Sequence, residues 1–392
     1  MRTRKLLLMA LAATAVLLLI GAGVFAQETT SLTSQEELGK ALFFDTNLSS
    51  PAGQSCATCH APEVGWVGPD SGINAAGSVY PGAISTRFGD RKPPTAAYGG
   101  DSPVLYFDET EGLWIGGMFW DGRATGWTLG DPLAEQAQGP FLNPVEQNVP
   151  GVKQVCLEVR KSDYADLYED VWGDPVDCGK NGLELTYERI ARSIAAYERS
   201  DEVNPFSSKY DAFLAGTEEL SEQEAWGLEL FEGKGMCSAC HLSEPGPNGE
   251  PPLFTDFTYD NLGIPSNPQN PANRADPTFV DPGLGGFLMK EGYEASVFEP
   301  ELGKHKVPTL RNVDLRPYPE FVKAFGHNGY FKSLEEITHF YNTRDVAAEM
   351  WPAPEYPATI NTDELGDLGL TLDEEAAIVA FMKTLSDGYL PK

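Results

Sequence analysis

The chain has 392 residues with 58 acidic and 28 basic side chains, and its formal net charge is −30 at pH 7. Such an acidic chain excludes nucleic acid as a natural partner and argues against binding to anionic membrane surfaces. The charge either serves solubility alone or steers a basic protein, such as a small electron carrier, toward the chain.

Residues 1–26 form a predicted signal peptide. A basic start with Arg2, Arg4 and Lys5 precedes an uncharged run that ends at Ala26, which is the pattern of a segment removed on export. The run is also long enough to span a bilayer, so an uncleaved N-terminal membrane anchor is the alternative. In both cases the rest of the chain is predicted to be exported, into the periplasm of a bacterial cell.

Two amphipathic helices begin with the same capping pattern. The first is predicted over residues 33–44, with Ser34 and Glu37 as its capping box. The second begins at Ser221, with Glu224 as the partner. Each helix leads through a short loop into a C-x-x-C-H motif, so the sequence indicates two divergent copies of one structural unit.

The C-x-x-C-H motifs predict two covalently attached c-type haems. Their residues are Cys56, Cys59 and His60 in the first motif and Cys237, Cys240 and His241 in the second. Two thiols at this spacing reach the two vinyl groups of one porphyrin, and the adjoining imidazole ligates the iron. The alternatives are a redox C-x-x-C pair, half of a zinc site, and coincidence. A zinc site needs more Cys or His ligands, and the remaining ones are too scattered to complete two such sites.

The intervening sequence predicts a mainly α chain with long irregular segments. Residues 61–119 and 242–286 are rich in Gly and Pro, and we expect ordered loops that pack over a cofactor. Helical patterns span four further stretches, residues 162–171, 186–199, 333–341 and 371–385, the last opened by a box of Thr371 and Glu374. Strand signals are few and short.

The chain is long enough for two domains, each with one haem motif. The helical pattern breaks after residue 199, which places the boundary near residues 200–217 and gives domains of residues 27–205 and 206–392. Cys156 and Cys178 remain outside the motifs, and in an oxidising compartment they close a disulfide loop. The alternative is two unrelated free thiols.

The second face of each haem iron decides between catalysis and electron transfer, because an open face binds small molecules and a doubly ligated iron mostly passes electrons. Three histidines, His305, His327 and His339, lie outside the motifs, and none occurs between residues 61 and 240. The first haem domain therefore contains no second histidine, and Met118 is its only methionine.

Several segments in a specific order resemble the bacterial dihaem cytochrome c peroxidases and their MauG-type relatives. They are residues 119–124 (FWDGRA), 135–140 (EQAQGP), 143–146 (NPVE), 306–313 (KVPTLRNV), 327–329 (HNG), 333–336 (SLEE) and 340–342 (FYN). The resemblance covers nearly the whole chain after the signal peptide. It implies two cytochrome c-like haem domains, the N-terminal one peroxidatic and the C-terminal one transferring electrons.

The resemblance also implies roles for individual residues. Trp120 is similar to the tryptophan that lies between the two haems and mediates electron transfer. Glu146 is similar to the distal glutamate over the peroxide-binding haem, and Gln136 to its polar neighbour. A carboxylate fits that place, because O–O cleavage requires a proton to move from one peroxide oxygen to the other. Without the resemblance, Trp120 would be interpreted as a core aromatic and Glu146 as a surface acid.

Two departures from the typical peroxidases resemble the MauG-type proteins. Tyr341 stands where typical members have a methionine that ligates the second iron. A phenolate ligand lowers the reduction potential of that haem. Met350 and His339 are the competing ligands of the second iron. The typical members also have a histidine after the first motif that blocks the peroxide haem, and this chain has none. We therefore expect the first haem to be open in its oxidised state.

The family also has a histidine near the second haem and a calcium ion between the haems. His327 fits that histidine, as a hydrogen-bonding group rather than an iron ligand, and His305 is expected to be a surface residue. The calcium is bound by an asparagine in the segment that here reads RKPPT, residues 91–95, and Lys92 takes its place. Calcium is then expected only if backbone carbonyl groups bind it.

These features predict an exported dihaem peroxidase that reduces hydrogen peroxide with electrons from a small soluble cytochrome c or cupredoxin. The first alternative is a MauG-type enzyme that oxidises residues of a partner protein. The second is a dihaem electron carrier without catalysis. The sequence sets no oligomeric state, and a homodimer stays open.

Overall fold

The computed structural model describes residues 31–391, so the predicted signal peptide lies outside the described residues. The prediction of a mainly α fold with few short strands is confirmed. The helices are α1 (Ser34–Phe44), α2 (Ser71–Ala75), α3 (Pro132–Leu142), α4 (Val152–Lys161), α5 (Ala165–Trp172), α6 (Leu183–Glu198), α7 (Lys209–Leu214), α8 (Glu222–Glu232), α9 (Pro271–Ala275), α10 (Gly283–Lys290), α11 (Ala295–Phe298), α12 (Leu334–Thr343) and α13 (Leu372–Lys383).

Four short strands make two antiparallel ladders. They are β1 (Tyr106–Asp108), β2 (Leu113–Ile115), β3 (Tyr259–Asp260) and β4 (His305–Lys306). β1 pairs with β2, with Phe107 opposite Trp114, and β3 pairs with β4, with Tyr259 opposite Lys306. Among the described residues, no helix is long and apolar enough to cross a membrane.

The two predicted copies of one unit share a helix crossing that needs glycine. α1 packs against α6 and α8 against α13. A Cβ on Gly39 would lie 1.9 Å from the carbonyl oxygen of Ser193, and a Cβ on Gly227 would lie 1.9 Å from that of Ala377. Only glycine permits such close backbone approach. The same device therefore places a helix before each haem motif.

Two large apolar clusters surround these crossings. The first contains residues of α1, α4 and α6, including Leu38, Phe43 and Tyr197. The second contains residues of α8, α12 and α13, including Phe231 and Phe381. Residues from Leu32 onward form one compact unit, and the division into domains at residue 205 stays a prediction.

Two of the predicted capping boxes mark helix starts correctly, whereas the box of Ser208 and Asp211 that opens α7 was not predicted. The boxes of α8, with Ser221 and Glu224, and of α13 are confirmed. For α1 the predicted pair is wrong by one residue, because Thr33 caps the helix and Glu36 is its partner. Both pairs satisfy the same spacing, so the pattern alone could not choose between them.

Other helix predictions differ more. The helix predicted over residues 162–171 is wrong at its start: Ser162 ends α4, and α5 follows as a separate helix. The predictions contain no helix at α2, α3, α4, α7, α9, α10 or α11. α3 contains Pro140 and α10 several glycines, and both signals normally argue against a helix. The predicted disulfide between Cys156 and Cys178 is confirmed.

Candidate active site

Each C-x-x-C-H motif lies in the wall of a large cavity. The first cavity, which is lined by the residues of the first motif, contains about 1320 Å³ of space including its open mouth. The second cavity, lined by those of the second motif, contains about 1690 Å³. Cavities of similar size beside two equivalent motifs can each take one large cofactor.

The local backbone brings the three reactive side chains of each motif together. Both motifs form a 3₁₀ turn, Cys56–Thr58 in one and Cys237–Ala239 in the other. The backbone N–H of His60 donates to the carbonyl of Cys56 at 3.0 Å, and that of His241 donates to Cys237 at 2.9 Å. The turn therefore presents two thiols and one imidazole to the same cavity.

The imidazoles of both motifs have one nitrogen held by the backbone. Nδ1 of His60 lies 3.2 Å from the carbonyl oxygen of Trp66, and Nδ1 of His241 lies 2.8 Å from that of Phe254. This contact places the proton on Nδ1 and leaves Nε2 to ligate a metal. Burial lowers the pKa of His60 to about 4 and also lowers that of His241, so both rings stay neutral, as a ligand must.

In the described structure, none of the motif cysteines forms a disulfide. Burial raises the pKa of Cys59 and of Cys237 to about 12. A thiol with so high a pKa is a poor redox nucleophile. The raised pKa values therefore reflect how far the protein encloses the thiols of both motifs.

The two cavities share one wall. Four residues line both cavities: Lys92, Pro94, Thr95 and Trp120. The indole N–H of Trp120 donates to the carbonyl of Lys92 at 2.8 Å, and the backbone N–H of Lys306 donates to the carbonyl of Trp120 at 2.9 Å. Trp120, the large aromatic residue of this wall, is therefore held by one hydrogen bond from its indole nitrogen and by a second to its backbone carbonyl.

The sequence around Trp120 explains its position. Asp121 forms ion pairs with Arg91, at 2.6 Å, and with Arg123, at 2.8 Å. Gly122 has a φ of +74°, and a Cβ there would lie 2.4 Å from the hydroxyl of Tyr259. The tight turn and the paired aspartate fix the segment, so that Trp120 points inward and Arg123 lines the first cavity.

Glu146 and Gln136 both line the first cavity. On α3, Leu133, Gln136, Ala137 and Pro140 line it at helical spacing, which puts Gln136 on the inner face. Glu146 follows in the loop after α3. Burial raises the pKa of its carboxyl group, while the positive charge of Arg123 opposes the rise. A half-buried carboxyl group with a raised pKa is a stronger base than an exposed glutamate and is suited to proton transfer.

In the described part of the chain, His60 is the only histidine among the residues that line the first cavity. The hydroxyl of Tyr80, which also lines it, lies 2.7 Å from the backbone nitrogen of Asp70 and 3.1 Å from the side-chain oxygen of Asn74. The Tyr80 hydroxyl is therefore hydrogen-bonded to the segment of residues 70–74.

Tyr341 lies on the face of α12 that lines the second cavity. The lining residues of this helix are Leu334, Ile337, Thr338 and Tyr341, again at helical spacing. His339 points off this face, and its Nδ1 lies 2.9 Å from a carboxylate oxygen of Glu375. Met350 is 85% exposed. Of the three competing ligands, Tyr341 alone lines the cavity.

Burial raises the pKa of the Tyr341 phenol, with the nearby motif cysteines adding to the rise. A phenolate in this cavity therefore needs a strong positive partner, such as ferric iron.

The expectation that His305 is a surface residue is wrong. His305 is buried, and its ring stacks on that of His327 with 3.6 Å between the centroids. Nε2 of His327 lies 2.8 Å from the carboxylate of Glu355, and that of His305 lies 3.2 Å from Asp281. Both rings line the second cavity, and His327 is held in place by Glu355, in keeping with a hydrogen-bonding role.

Several residues of these walls were not predicted as functional. Lys306 and Lys323 line the second cavity, and Glu198 lines the first. Glu198 belongs to the amphipathic helix α6, and the hydrophobic pattern of this helix does not predict that the Glu198 carboxyl group faces the first cavity. Lys306 precedes the VPTL segment, but nothing local shows that its side chain is enclosed.

Comparison with known proteins identifies the family. Residues 33–219 match the family described as di-haem cytochrome c peroxidase. The chain is 34% identical to the methylamine utilization protein MauG of Paracoccus denitrificans over 385 residues, which are 95% of this chain and 93% of that protein. It is 29% identical to the cytochrome c551 peroxidase of Nitrosomonas europaea over 355 residues, covering 89% of this chain and 79% of the relative.

Solved structures agree with this family. The dihaem peroxidase BthA of Burkholderia thailandensis has a TM-score of 0.78 and 30% identity to the chain, covering 91% of this chain and 86% of BthA. The chain therefore belongs to the dihaem cytochrome c peroxidase and MauG family, whose members carry two haem groups and are oxidoreductases acting on peroxide.

Proposed function

We propose that the protein is an exported dihaem c-type peroxidase that reduces hydrogen peroxide to water with electrons from a small cytochrome or cupredoxin. One peroxide molecule takes two electrons and two protons and gives two water molecules. The observation that carries the proposal is the first cavity, where Glu146, Gln136 and Arg123 accompany a single histidine.

The motif residues would hold the two haems. Cys56 and Cys59 would form thioethers in the first cavity, with His60 as the iron ligand, and the second motif would do the same in its cavity. When bound, the haem of the first cavity supplies an iron that accepts a peroxide oxygen, and both haems store oxidising equivalents. The buried thiols and the Nδ1-anchored imidazoles fit this group.

Glu146 would move the proton that O–O cleavage requires. Its carboxylate accepts the proton from one peroxide oxygen and returns it to the other, which leaves as water. The raised pKa suits both steps, because the group is a better base than an exposed glutamate and is still a competent acid. Gln136 would orient the peroxide by hydrogen bonding, and Arg123 would favour the ionised form of Glu146.

Trp120 would carry electrons between the cavities, since its ring lies in the wall that both share. Tyr341 would close the second iron and make it an electron store. His327 would act as a hydrogen-bonding group beside that haem. These roles divide the molecule into a first site that does chemistry and a second that supplies electrons.

The electron donor would dock beside the second motif. Met236 and Leu242 flank this motif and are 42% and 51% exposed. Glu232 and Glu244 are exposed next to them. An apolar centre with an acidic border is complementary to a small carrier that has an apolar contact face with a basic rim.

A MauG-type reaction is the second candidate function. In it, peroxide takes two electrons from side chains of a partner protein instead of from two carrier molecules. Tyr341 in the wall of the second cavity favours this candidate. A dihaem carrier without catalysis is less well supported, because pure electron transfer gives no role to a carboxyl group with a raised pKa in the first cavity.

Peroxide turnover tests the proposal and separates the candidates. With reduced cytochrome c or a reduced cupredoxin as donor, we expect steady-state peroxide reduction at many turnovers per second. A rate of only a few turnovers per hour with every small donor would refute the peroxidase and favour a MauG-type reaction. Rapid mixing of the oxidised protein with peroxide tests catalysis itself, since an unchanged Soret band would leave only electron transfer.

Glu146→Gln tests the assigned acid. General acid–base catalysis contributes roughly 10²- to 10⁴-fold, so kcat/KM for peroxide should fall by a factor in that range. Glu111→Gln, an exposed acid in the turn between β1 and β2, is the matched control and should keep the wild-type rate. A Glu146→Gln variant within threefold of wild type would remove this residue from the mechanism.

The coordination of the first iron is tested by paramagnetic resonance of the all-ferric protein. One high-spin and one low-spin signal are expected, because the first haem is proposed to be open without prior reduction. Two low-spin signals would contradict an open first haem.

A further inference from the structure

The segment where the family has its calcium ligand contains a positive side chain in this protein. Lys92 is half-buried in the wall shared by the two cavities, and its ammonium group lies 5.8 Å from the centroid of the Trp120 ring. Its Nζ donates to the carbonyl of Pro93 at 3.1 Å. Calcium needs six to eight oxygen ligands, whereas this position offers a cation.

Two other lysines extend this positive region. Nζ of Lys323 donates to three backbone carbonyls at 2.8 to 2.9 Å, those of Val64, Asn312 and Leu315. The side chain is almost completely buried. The acceptors come from both halves of the chain, so this ammonium group joins the halves in the way that a bound metal ion does.

Lys332 repeats the arrangement. Its Nζ donates to the carbonyls of Asn74, Ala76 and Gly329 and to the hydroxyl of Ser78, at 2.6 to 2.8 Å. These acceptors again come from both halves. Burial and, to a smaller extent, the charge of Lys332 together lower the pKa of Lys92 to about 8. Burial lowers the pKa of Lys323, and the charge of Lys92 adds to this fall. Lys92 is therefore coupled electrostatically to each of the other two lysines.

Two nearby acidic side chains, those of Asp121 and Asp281, are already paired with a guanidinium group. Arg91, the neighbour of Lys92, pairs with Asp121 at 2.6 Å and with Asp281 at 2.6 Å. Asp281 also forms a cluster with His305 and His327 whose ligand atoms are close enough for a metal. A divalent ion in that cluster would face the guanidinium of Arg91, which holds both carboxylate oxygens of Asp281.

We infer that the ammonium groups of Lys92, Lys323 and Lys332 provide the positive charge that the resemblance assigns to calcium in the family, and that this protein needs no calcium between its cofactors. The inference rests on the haem sites proposed above but not on the reaction they catalyse. Lys92 is a positioning residue: its backbone holds the Trp120 indole, and its ammonium group provides positive charge at both cavities. Such a charge favours the reduced state of a nearby redox centre.

Metal analysis and redox titration of the holoprotein test the inference together. The purified protein, dialysed against calcium-free buffer, should contain far less than one calcium per chain, and EGTA should leave its ferric paramagnetic spectrum unchanged. Lys92→Met keeps the length of the side chain and removes its charge. It should lower the reduction equilibrium constant of one haem at least tenfold, which is about 59 mV for a one-electron couple.

Matched variants separate charge from structure. Lys92→Arg should restore the potentials towards wild type, and Lys40→Met, which removes an exposed lysine paired with Glu202, should leave them unchanged. Haem content and circular dichroism confirm folding. Stoichiometric calcium whose removal by EGTA changes the ferric spectrum would overturn the inference, as would unchanged potentials in Lys92→Met. Neither measurement uses peroxide, so a failure of the proposed reaction would not be confused with either result.

Discussion

Glu198 carries a buried carboxyl group at the end of α6, and its replacement should change how the stability of the protein depends on pH. The side chain is 5% exposed and lines the first cavity, and within the described residues its Oε2 has no hydrogen-bond partner. Burial raises its pKa from the ordinary 4.5 to about 8, with Arg199 opposing the rise. The folded protein therefore holds a proton that the unfolded chain releases between these pH values.

The difference between the pKa of Glu198 in the folded and the unfolded protein sets the sign and the size of the change in stability with pH. Because the folded state binds more protons, the free energy of unfolding falls as pH rises through this window. At about 1.4 kcal/mol per pH unit, the loss due to Glu198 is roughly 4 kcal/mol between pH 5 and pH 8. Glu198→Gln stays neutral at every pH, so this loss should disappear.

Guanidinium unfolding of the holoprotein at half-unit steps from pH 5 to pH 8.5 measures the effect. The variant should become more stable than wild type by an amount that grows with pH. Glu184→Gln, which changes an exposed acid of the same helix, is the control and should follow the wild-type curve. Parallel curves for Glu198→Gln and wild type would refute the assignment of a neutral, buried acid.

Three further changes have expected outcomes that single measurements can check. Replacing Cys156 and Cys178 by alanine opens a loop with a sequence separation of 22 and should cost about 3 kcal/mol in a urea titration; an unchanged midpoint would contradict this. Gly227→Ala forces a methyl group against the carbonyl of Ala377 and should cost roughly 1–3 kcal/mol by the same assay, since α8 must move away from α13. Tyr341→Phe should change the low-spin spectrum of the second haem, and an unaltered spectrum would exclude Tyr341 as its ligand.

Much of the fold could be predicted because its signals are local. The capping boxes of α8 and α13 depend on residues three positions apart, and the helices were predicted from them. α3 was missed because Pro140 lies inside it, and only the packing of Leu133, Ala137 and Phe141 in the core outweighs that signal. A local pattern cannot show such tertiary packing.

The candidate site was predictable to a similar degree. The C-x-x-C-H motifs indicated two haems directly, since that chemistry needs fixed spacing within five residues. The positions of Trp120, Glu146 and Tyr341 were inferred from resemblance, and the structure puts all three in cavity walls. His305 was misjudged because its burial depends on stacking against His327, a residue 22 positions away in the sequence.

Two thiol–imidazole motifs, a large acidic excess and a pair of capped helices can be inferred from the sequence, because each is a property of neighbouring residues or of composition. The packing of distant segments gives the two motifs unlike cavities with a common wall. Lys92 and Trp120 of that wall line the second cavity together with side chains from the other half of the chain, including Lys306 and Lys323. Its charge and its burial come from contacts across hundreds of residues, which no local pattern records.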